Sequence, residues 1–476
     1  MKNYIKYPLL LLSACFSVLH SQAQYNITFD AKNSKDDTLI LCYYHLDNSY
    51  ALDTAVNKKG RFVFKGEAKV HDGVYLLINT SKQVLFEFVL DNENKLHFIA
   101  GGDNWKENLK CKNSKKEQVY LDYYVQSEAL TDSVKQLMKQ KNTLTKQQYE
   151  DKFSLLRQKN DSLKENFIAK NPDHLFSKIL LCSKPVEIPA MDTVYREDGS
   201  VDTLAMQYKA YYWLKNHYFD NVDLSCGGLL YTPKDVFFRT YSLYFDDVLK
   251  YEKTDSLSKY ACQLIDSAKN EAVFNYFVRN LGNRFLTDGY MGHEKVYIDI
   301  VDRYIRSGKY KDMQPSDVQM NLERSDKWRK LLIGKQIPDL ACPETDDKSL
   351  WHHLDELKTK YKFLVFWSVE CGHCTTEIPK LSEFYNQYKD VYGFEVFAVH
   401  TEGEIEKMQE FAKQHDIKWI NTNGLYANYD WREYFDIEKT PVIYILDSQD
   451  VIKAKNISVS SLKQVMDILE NGGFDR

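Results

Sequence analysis

From Tyr25 to about Cys111, apolar and polar residues alternate in short runs that are separated by turn-forming residues. The runs are YNITFDA, TLILCYYHL, RFVFKGEA, GVYLLIN, VLFEFVLD and KLHFIAG. A period of two residues places every second side chain on the same face of a strand. Several such runs in a short region are typical of antiparallel sheets. We therefore predict a small β-sandwich or barrel over residues 24–115, and we find no catalytic constellation in it.

Apolar positions recur at helical intervals from about Glu117 to Lys170, in a charged region that contains neither Gly nor Pro. Two amphipathic helices are expected there. Residues 172–332 continue as helices that are rich in aromatic side chains. Such aromatics could line a sugar- or peptide-binding groove, but packing between helices explains them more simply. The region 116–332 is therefore predicted to be all-α.

A third pattern begins after Gly334, where short apolar runs alternate with helical ones. The predicted strands are FLVFWSV, FEVFAVH, VIYILD and VIKAKNI, and the predicted helices are GHCTTEIPKLSEFYNQY, EIEKMQEFAKQHD and SLKQVMDILE. This alternation is typical of an α/β layer structure. Residues 333–476 are therefore predicted to form a C-terminal α/β domain, and the chain is predicted to be multidomain.

Length and charge narrow the class of protein. A chain of 476 residues is expected to hold two to four domains. The net charge is only -5, and no long block of like charge suggests a basic arm or an acidic tail. Nucleic acid is therefore not an expected partner.

Residues 1–23 have the layout of an export signal, with two lysines, an apolar stretch and then small residues. The apolar stretch is shorter than the roughly 20 residues that span a bilayer. We predict cleavage after Ala23. An alternative is the LSAC box that ends at Cys15, which resembles a lipoprotein processing site and would tether the chain through a lipid. Both interpretations place the protein in the periplasm or outer cell envelope, where disulfides persist.

The chain has nine cysteines, and seven of them are isolated, as is usual for small buried residues. Cys371 and Cys374 form a C-x-x-C pair, which is found both in redox couples and as half of a zinc site. A tetrahedral zinc site needs two further ligands, and the sequence downstream offers no second C-x-x-C and no suitably spaced histidine pair. We expect no metal and no other cofactor.

Cys371 follows a predicted strand and opens a predicted helix. Its sulfur should lie near unpaired backbone N–H groups and the positive end of the helix dipole, which stabilise a thiolate. Cys374 lies one helical turn further on, close enough to resolve a mixed disulfide on Cys371. A protonated His373 would favour the thiolate, whereas Glu370 would oppose it. The pair is therefore predicted to consist of a nucleophile and a resolving cysteine.

The segment FWSVECGHCTTEIPKL resembles the active site of the thioredoxin superfamily, and more closely that of the TlpA/ResA-like extracytoplasmic thiol–disulfide oxidoreductases. In these proteins an acid and a proline follow the cysteines in the helix, and Glu377 and Pro379 occupy those places. A cis proline faces the disulfide in the family, and the residue before it pairs with the substrate backbone. Thr440 and Pro441 match these two positions. The resemblance covers the last 140 residues, and the upstream regions loosely resemble uncharacterised domains of exported bacterial proteins.

Seven residues have a predicted role at the site. Cys371 and Cys374 are catalytic, His373 and Glu370 modulate them through charge, Glu377 modulates them from the following helix, and the resemblance implies that Thr440 and Pro441 bind substrate. Two positions differ from thioredoxin. Val365 replaces its buried acid six residues before the first cysteine, and Glu370 replaces its tryptophan directly before that cysteine. The proton acceptor for Cys374 is then Glu370, Glu377 or water.

The sequence therefore indicates an exported thiol–disulfide oxidoreductase that exchanges disulfides with envelope proteins and with a redox partner protein. The dipeptide Gly372-His373 is that of protein disulfide isomerase, whose potential is about 90 mV above that of thioredoxin, so a moderately oxidising couple is expected. Reductase and isomerase directions both stay open. An alternative is an envelope binding or scaffold protein in which the redox module is accessory or vestigial. A peroxidase, which in this fold uses a single cysteine in a T-x-x-C setting, is a weaker alternative.

Overall fold

The computed structural model describes residues 24–101, 105–106, 108–345 and 347–473. The export signal predicted for residues 1–23, with Cys15, lies outside the described residues. The chain divides into two units, Met1–Lys250 and Tyr251–Arg476.

The described strands of the first unit form two four-stranded sheets, in the orders β4-β1-β7-β8 and β3-β2-β5-β6. Their bounds are β1 (Tyr25–Asp30), β2 (Thr38–His45), β3 (Asn48–Val56), β4 (Arg61–Gly66), β5 (Gly73–Asn79), β6 (Val84–Leu90), β7 (Lys95–Ile99) and β8 (Lys110–Cys111). The buried ring of Phe29 in one sheet contacts Phe86 and Phe88 in the other, with centroid distances of 5.6 and 5.9 Å. Sheets that pack face to face in this way form a sandwich, which confirms the predicted β-sandwich.

Two strands of this sandwich, β3 and the two-residue β8, were not predicted. β3 pairs with β2 along its whole length after a turn in which Leu46 has a φ of 59°. As an edge strand, β3 leaves most of its side chains exposed or half-buried on both faces. Its sequence NSYALDTAV therefore lacks the apolar alternation that marks a strand with one buried face.

The first unit continues as helices, of which α1 and α2 are long and in contact with each other. Their bounds are α1 (Lys115–Lys139), α2 (Lys146–Lys170), α3 (Leu175–Cys182), α4 (Thr203–His217) and α5 (Phe237–Leu243). The hydroxyl of Ser114 accepts the backbone N–H of Glu117 at the start of α1, and Thr145 forms a capping box with Gln148 at the start of α2. These caps fix the first residues of the two helices, which share a charged sequence without Gly or Pro.

The second unit opens with further helices, α6 (Thr254–Ser267), α7 (Glu271–Thr287), α8 (Glu294–Ile300) and α9 (Pro315–Lys330). Pro315 is the first residue of α9, where its missing N–H costs nothing. α8 packs on α6, α7 and α9 and is continued by a π-helical turn over Val301–Arg306. The central all-α prediction is confirmed by this series of helices from α1 to α9.

The rest of the second unit is a five-stranded mixed sheet in the order β13-β12-β11-β14-β15 with helices around it. The bounds are β9 (Ala341–Pro343), β10 (Trp351–His353), β11 (Tyr361–Trp367), α10 (Gly372–Tyr392), β12 (Phe394–His400), α11 (Ile405–Gln414), β13 (Ile420–Asn423), α12 (Trp431–Tyr434), β14 (Val442–Asp447), β15 (Ile452–Lys455) and α13 (Leu462–Glu470). The central strand β11 is parallel to β12 and antiparallel to β14. The predicted thioredoxin-like α/β domain, and with it the multidomain fold class, is confirmed.

Buried apolar side chains cover both faces of this sheet. Phe363, Val365 and Trp367 of β11 face a cluster that contains residues of α10, α11 and α13. Leu364 and Phe366 face the other side, where Leu331 belongs to the buried cluster. Because both faces are covered, every residue of β11 is buried, which accounts for the continuous apolar run from Phe363 to Trp367. In the described part of the chain, we find no helix with the length and hydropathy that a membrane span requires.

Candidate active site at the Cys371–Cys374 pair

Cys371 sits at the junction between β11 and α10. The strand ends at Trp367, and Cys371 is the residue that precedes the first turn of the helix, with φ of −93° and ψ of 115°. Its carbonyl oxygen accepts the backbone N–H of Thr375 at 3.1 Å. The first N–H groups of a helix have no partners within it, and the helix dipole is positive at this end. The thiol therefore lies where a negative charge is stabilised.

The loop before β14 brings a second backbone segment to the same sulfur. The Cys371 thiol donates a hydrogen bond of 3.1 Å to the carbonyl oxygen of Thr440. The peptide bond between Thr440 and Pro441 is cis. Partial burial raises the pKa of Cys371, but hydrogen bonding with Thr440 and with Cys374 and His373 outweighs it and lowers the pKa below its ordinary value. Cys371 is thus the more acidic and more accessible thiol.

Cys374 lies in the opposite kind of environment. It is fully buried in the apolar cluster against β11, and its sulfur accepts the backbone N–H of Ser368 at 3.5 Å. Burial raises the pKa of Cys374 to about 11, and the neighbouring Cys371 adds to that shift. Both cysteines are unbridged thiols in this structure. Two adjacent thiols with pKa values displaced in opposite directions can act as nucleophile and resolving group.

The charged residues next to the pair are exposed or half-buried. Gly372 and His373 are exposed on the first turn of α10. Glu370 is exposed, and its carboxylate lies 3.4 Å from the ammonium of Lys407. Glu377 forms a 2.6 Å ion pair with Lys380 on the surface of the same helix. The structure thus groups these side chains around the mouth of the site, with both carboxylates engaged by lysines.

Val365 is buried on the face of β11 that carries Cys374, so the position that holds an acid in thioredoxin is apolar here. A polar residue that we did not predict at the site lies on the next strand. His400 is fully buried opposite Trp367, with ring centroids 5.9 Å apart. Burial lowers the pKa of His400 to about 4, although the charge of Glu370 acts in the other direction. Neither ring nitrogen has a hydrogen-bond partner among the described residues.

One sequence signal could have pointed to His400. It ends the apolar run FEVFAVH, at the carboxyl end of a strand parallel to β11. Carboxyl ends of adjacent parallel strands meet at one edge of a sheet, which is where the C-x-x-C pair follows β11.

A cluster of potential metal ligands lies elsewhere in the second unit. Ligand atoms of Asp339, His353 and Asp355 lie within 4.8 Å of one another, and this is the one such group among the described residues. The hydrogen bond from His353 to Asp339, 2.7 Å long, raises the pKa of His353 and so favours its protonated form, which cannot bind a metal. Cys371 and Cys374 belong to no such group.

Two family models match the chain. The model of the AhpC/TSA family matches residues 333–455, and that of a domain of unknown function (DUF4369) matches residues 25–120. The first region contains β9 to β15 and both cysteines of the pair, and the second contains the sandwich and the start of α1. No curated protein matches the chain.

Solved structures similar to this chain include three bacterial proteins. A domain of a possible thiol-disulfide isomerase from Cytophaga hutchinsonii is 31% identical over 29% of this chain and 94% of that one, with a TM-score of 0.27. A thioredoxin-like protein from Bacteroides caccae is 17% identical over 60% of this chain and 99% of that one, with a TM-score of 0.47. A thiol:disulfide interchange protein from a Bacteroides species is 23% identical over 30% of this chain and 93% of that one, with a TM-score of 0.26.

Proposed function

We propose that this chain, whose residues 333–455 belong to the AhpC/TSA family, exchanges disulfides with protein substrates through Cys371 and Cys374. The family match confirms the resemblance to the thioredoxin superfamily. The observation that carries the proposal is the contrast between the two thiols: the pKa of Cys371 is lowered at a helix N-terminus, and the pKa of Cys374 is raised by burial to about 11.

The contrast assigns the order of the two steps. The thiolate of Cys371 attacks one sulfur of a substrate disulfide, so that a mixed disulfide forms and the other substrate sulfur leaves as a thiolate. Cys374 then loses its proton and attacks the sulfur of Cys371. The Cys371–Cys374 disulfide forms, the substrate cysteine leaves as the second thiolate, and the substrate disulfide has gained two electrons. The reverse sequence oxidises a substrate dithiol, so both directions use the same residues.

Thr440 supports the mixed-disulfide step. Its carbonyl oxygen accepts the Cys371 thiol in the reduced protein. Once Cys371 is bonded to a substrate sulfur, it has no proton to donate, and this carbonyl can accept a backbone N–H of the substrate. Thr440 and Pro441 are therefore the proposed binding residues for the substrate chain. His373, exposed next to the sulfurs, adds a positive charge when protonated, and Glu370 and Glu377 with water are the proposed routes for protons.

The proposed substrates are thiols and disulfides of envelope proteins, with a second redox protein to restore the couple. The basis for export is the N-terminal sequence, with its lysines, apolar stretch and small residues before Gln24. An oxidising compartment would supply disulfide substrates. Lipidation at Cys15 would change only the tether, since Cys15 lies outside the redox domain.

The test is reduction of a disulfide substrate by the full chain and by three variants. We expect Cys371→Ser to abolish turnover, Cys374→Ser to stop after one attack and accumulate a mixed disulfide, and Cys342→Ala to retain activity. Cys342 is the matched control because it is a buried cysteine of the same unit, whose pKa is raised by burial to about 12. Equal turnover by the wild type and Cys371→Ser would refute the proposal.

A further inference from the structure

A cleft of about 140 Å³ lies in the second unit, where α7, α8 and α9 meet the edge of the sheet. Its walls include the side chains of Phe285, Tyr290, Met291, Trp328 and Tyr444. Tyr290 is 69% exposed and forms the rim, whereas Phe285 and Tyr444 are buried. The cleft is therefore a partly open aromatic pocket of the size of one long side chain.

The cleft adjoins the proposed binding residues. β14 begins directly after Pro441, and β15 runs antiparallel to it with Lys455 opposite Tyr444. The N–H of Asn456, which lines the cleft, donates to the carbonyl of Ile443 at 3.0 Å. Ile443 is two residues beyond Pro441, so standard strand spacings place Asn456 roughly 8 Å from Pro441. An extended peptide covers that distance in two or three residues.

Three carboxylates line the cleft. Asp288 is paired with His293 at 2.7 Å, Asp436 accepts the indole N–H of Trp328, and Glu294 lies 2.8 Å from the ammonium of Lys455. The charges of Asp436 and Glu294 also add to the effect of burial in raising the pKa of Tyr444, so both carboxylates lie near its hydroxyl.

The hydrogen-bond and ion-pair partners of these three carboxylates do not neutralise their negative charge. Among the described residues that line the cleft, Lys455 is the one lysine. His293 is the remaining titratable partner, and the Trp328 indole carries no charge. Lys455 pairs with Glu294 at 2.8 Å and also donates to the carbonyl of Leu331 at 2.7 Å. The cleft therefore has three carboxylates against one lysine, and its charge is negative.

We propose that this cleft binds a lysine or arginine side chain of the substrate, two or three residues from the substrate cysteine that reacts with Cys371. The proposal rests on the disulfide exchange proposed above. The faces of Trp328 and Tyr290 attract a cation, the methylene groups of a long basic side chain suit the apolar walls, and the carboxylates supply the opposite charge. The helices α7 to α9 would thus contribute specificity to the redox site.

The test uses three peptides of one sequence, each with its cysteine as a mixed disulfide with thionitrobenzoate. Lys, Gln or Glu stands three residues from the cysteine, and release of the chromophore by the reduced full chain gives the rate. We expect the Lys peptide to react about tenfold faster than the Glu peptide. Equal rates for the three peptides would leave the exchange reaction intact and overturn the cleft proposal.

Variants of the cleft carboxylates test whether the cleft causes the faster reaction of the Lys peptide. Asp436→Asn keeps an acceptor for Trp328 and removes a charge, and Asp288→Asn does the same for its partner His293. We expect both to lower the rate with the Lys peptide more than the rate with the Gln peptide, so that the ratio of the two rates falls. Asp390→Asn, an exposed carboxylate near the far end of α10, is the control and should keep the full preference. A preference that survives in both cleft variants would also overturn the proposal.

Measurements of peptide binding distinguish the cleft proposal from the proposed disulfide exchange. The same peptides with Ser in place of Cys cannot react, so their affinity is measured by the change in tryptophan fluorescence of the wild type and of Asp436→Asn. Binding of the Lys peptide that is weakened by Asp436→Asn supports the cleft even if no peptide reacts at Cys371. Absence of binding by any of the Ser peptides, together with equal reaction rates, counts against the cleft alone.

Discussion

Cys371 and Thr440 lie 69 positions apart in the chain, and the thiol of Cys371 donates a hydrogen bond of 3.1 Å to the Thr440 carbonyl. The contact joins the start of α10 to the segment that enters β14. It fixes the reactive sulfur between a helix N-terminus and a backbone carbonyl, while Cys374 stays in the apolar layer behind it. The properties of the pair therefore depend on position and not only on the C-x-x-C spacing.

The first prediction concerns alkylation of the reduced protein. The pKa of Cys371 is below its ordinary value and that of Cys374 is about 11, so at pH 8 the thiolate fraction of Cys371 should exceed that of Cys374 by about 100-fold or more. We expect iodoacetamide to modify Cys371 first, as read by mass spectrometry of the peptides. Equal modification of both residues at early times would contradict the assignment of the nucleophile.

The second prediction concerns the reduction potential. His373 is the second residue of α10, where a proline fits without loss of a helical hydrogen bond. We expect the wild-type couple to lie nearer about −180 mV than about −270 mV, and His373→Pro to lower the potential by about 30 mV or more. Equilibration with glutathione of known ratio measures both values.

His373→Gln is the control for this measurement, because it removes the imidazole ring and leaves the backbone free. A smaller decrease with Gln than with Pro would separate the effect of the ring from that of the backbone constraint. An unchanged potential in both variants would show that the dipeptide does not set the potential of this protein.

Sequence patterns predicted an element correctly where one of its faces is buried and the other is exposed. They also did so where both faces are buried. β12 was predicted with its observed bounds because FEVFAVH is apolar and is followed by a helical period. β3 was missed because, as an edge strand, it buries few side chains, and β8, β9, β10 and β13 were missed because they are only two to four residues long and show no period. The hydrophobic period of a segment does not show whether that segment will pair with the edge strand of a sheet.

The candidate site, too, could be predicted only in part from local sequence patterns. Cys371 and Cys374 could be predicted because their chemistry is local to one strand and one helix, and Thr440 and Pro441 entered only through the family resemblance. His400 was missed because a single histidine carries no pattern, and its burial depends on the pairing of β12 with β11. The cleft depends on ion pairs such as Glu294–Lys455, which join distant parts of the sequence.

The third prediction concerns pH and the stability of the second unit. The pKa of His400 is about 4 in the folded protein, against 6.5 ordinarily. Between these values the unfolded chain binds more protons, so stability rises with pH and is lost as the pH falls below about 6.5. From pH 7.5 to pH 5 this group alone should cost about 2 kcal/mol.

Urea unfolding of the wild type and His400→Gln at the two pH values measures this contribution. We expect the difference in unfolding free energy between pH 7.5 and pH 5 to be smaller in His400→Gln by about 2 kcal/mol. His415→Gln, an exposed histidine of the same unit, should keep the wild-type difference. The interpretation fails if both variants have the same pH dependence.

The fourth prediction concerns the ion pair that joins α8 to β15. Glu294 and Lys455 are both nearly buried, with side-chain exposures of 10% and 6% and a separation of 2.8 Å. Removal of one partner leaves the other charge buried without compensation, which typically costs about 3–5 kcal/mol. We therefore expect Glu294→Gln to destabilise the second unit by about 3 kcal/mol, measured by urea unfolding at pH 7.5.

The control is Glu470→Gln, which removes the carboxylate of an ion pair with Lys360 that has a similar length of 2.6 Å but side-chain exposures of 33% and 57%. Solvent screens that pair, so its loss should cost less than about 1 kcal/mol. If the two variants were destabilised equally, burial of Lys455 would not govern the strength of the contact, and α8 would be held to β15 by its apolar contacts alone.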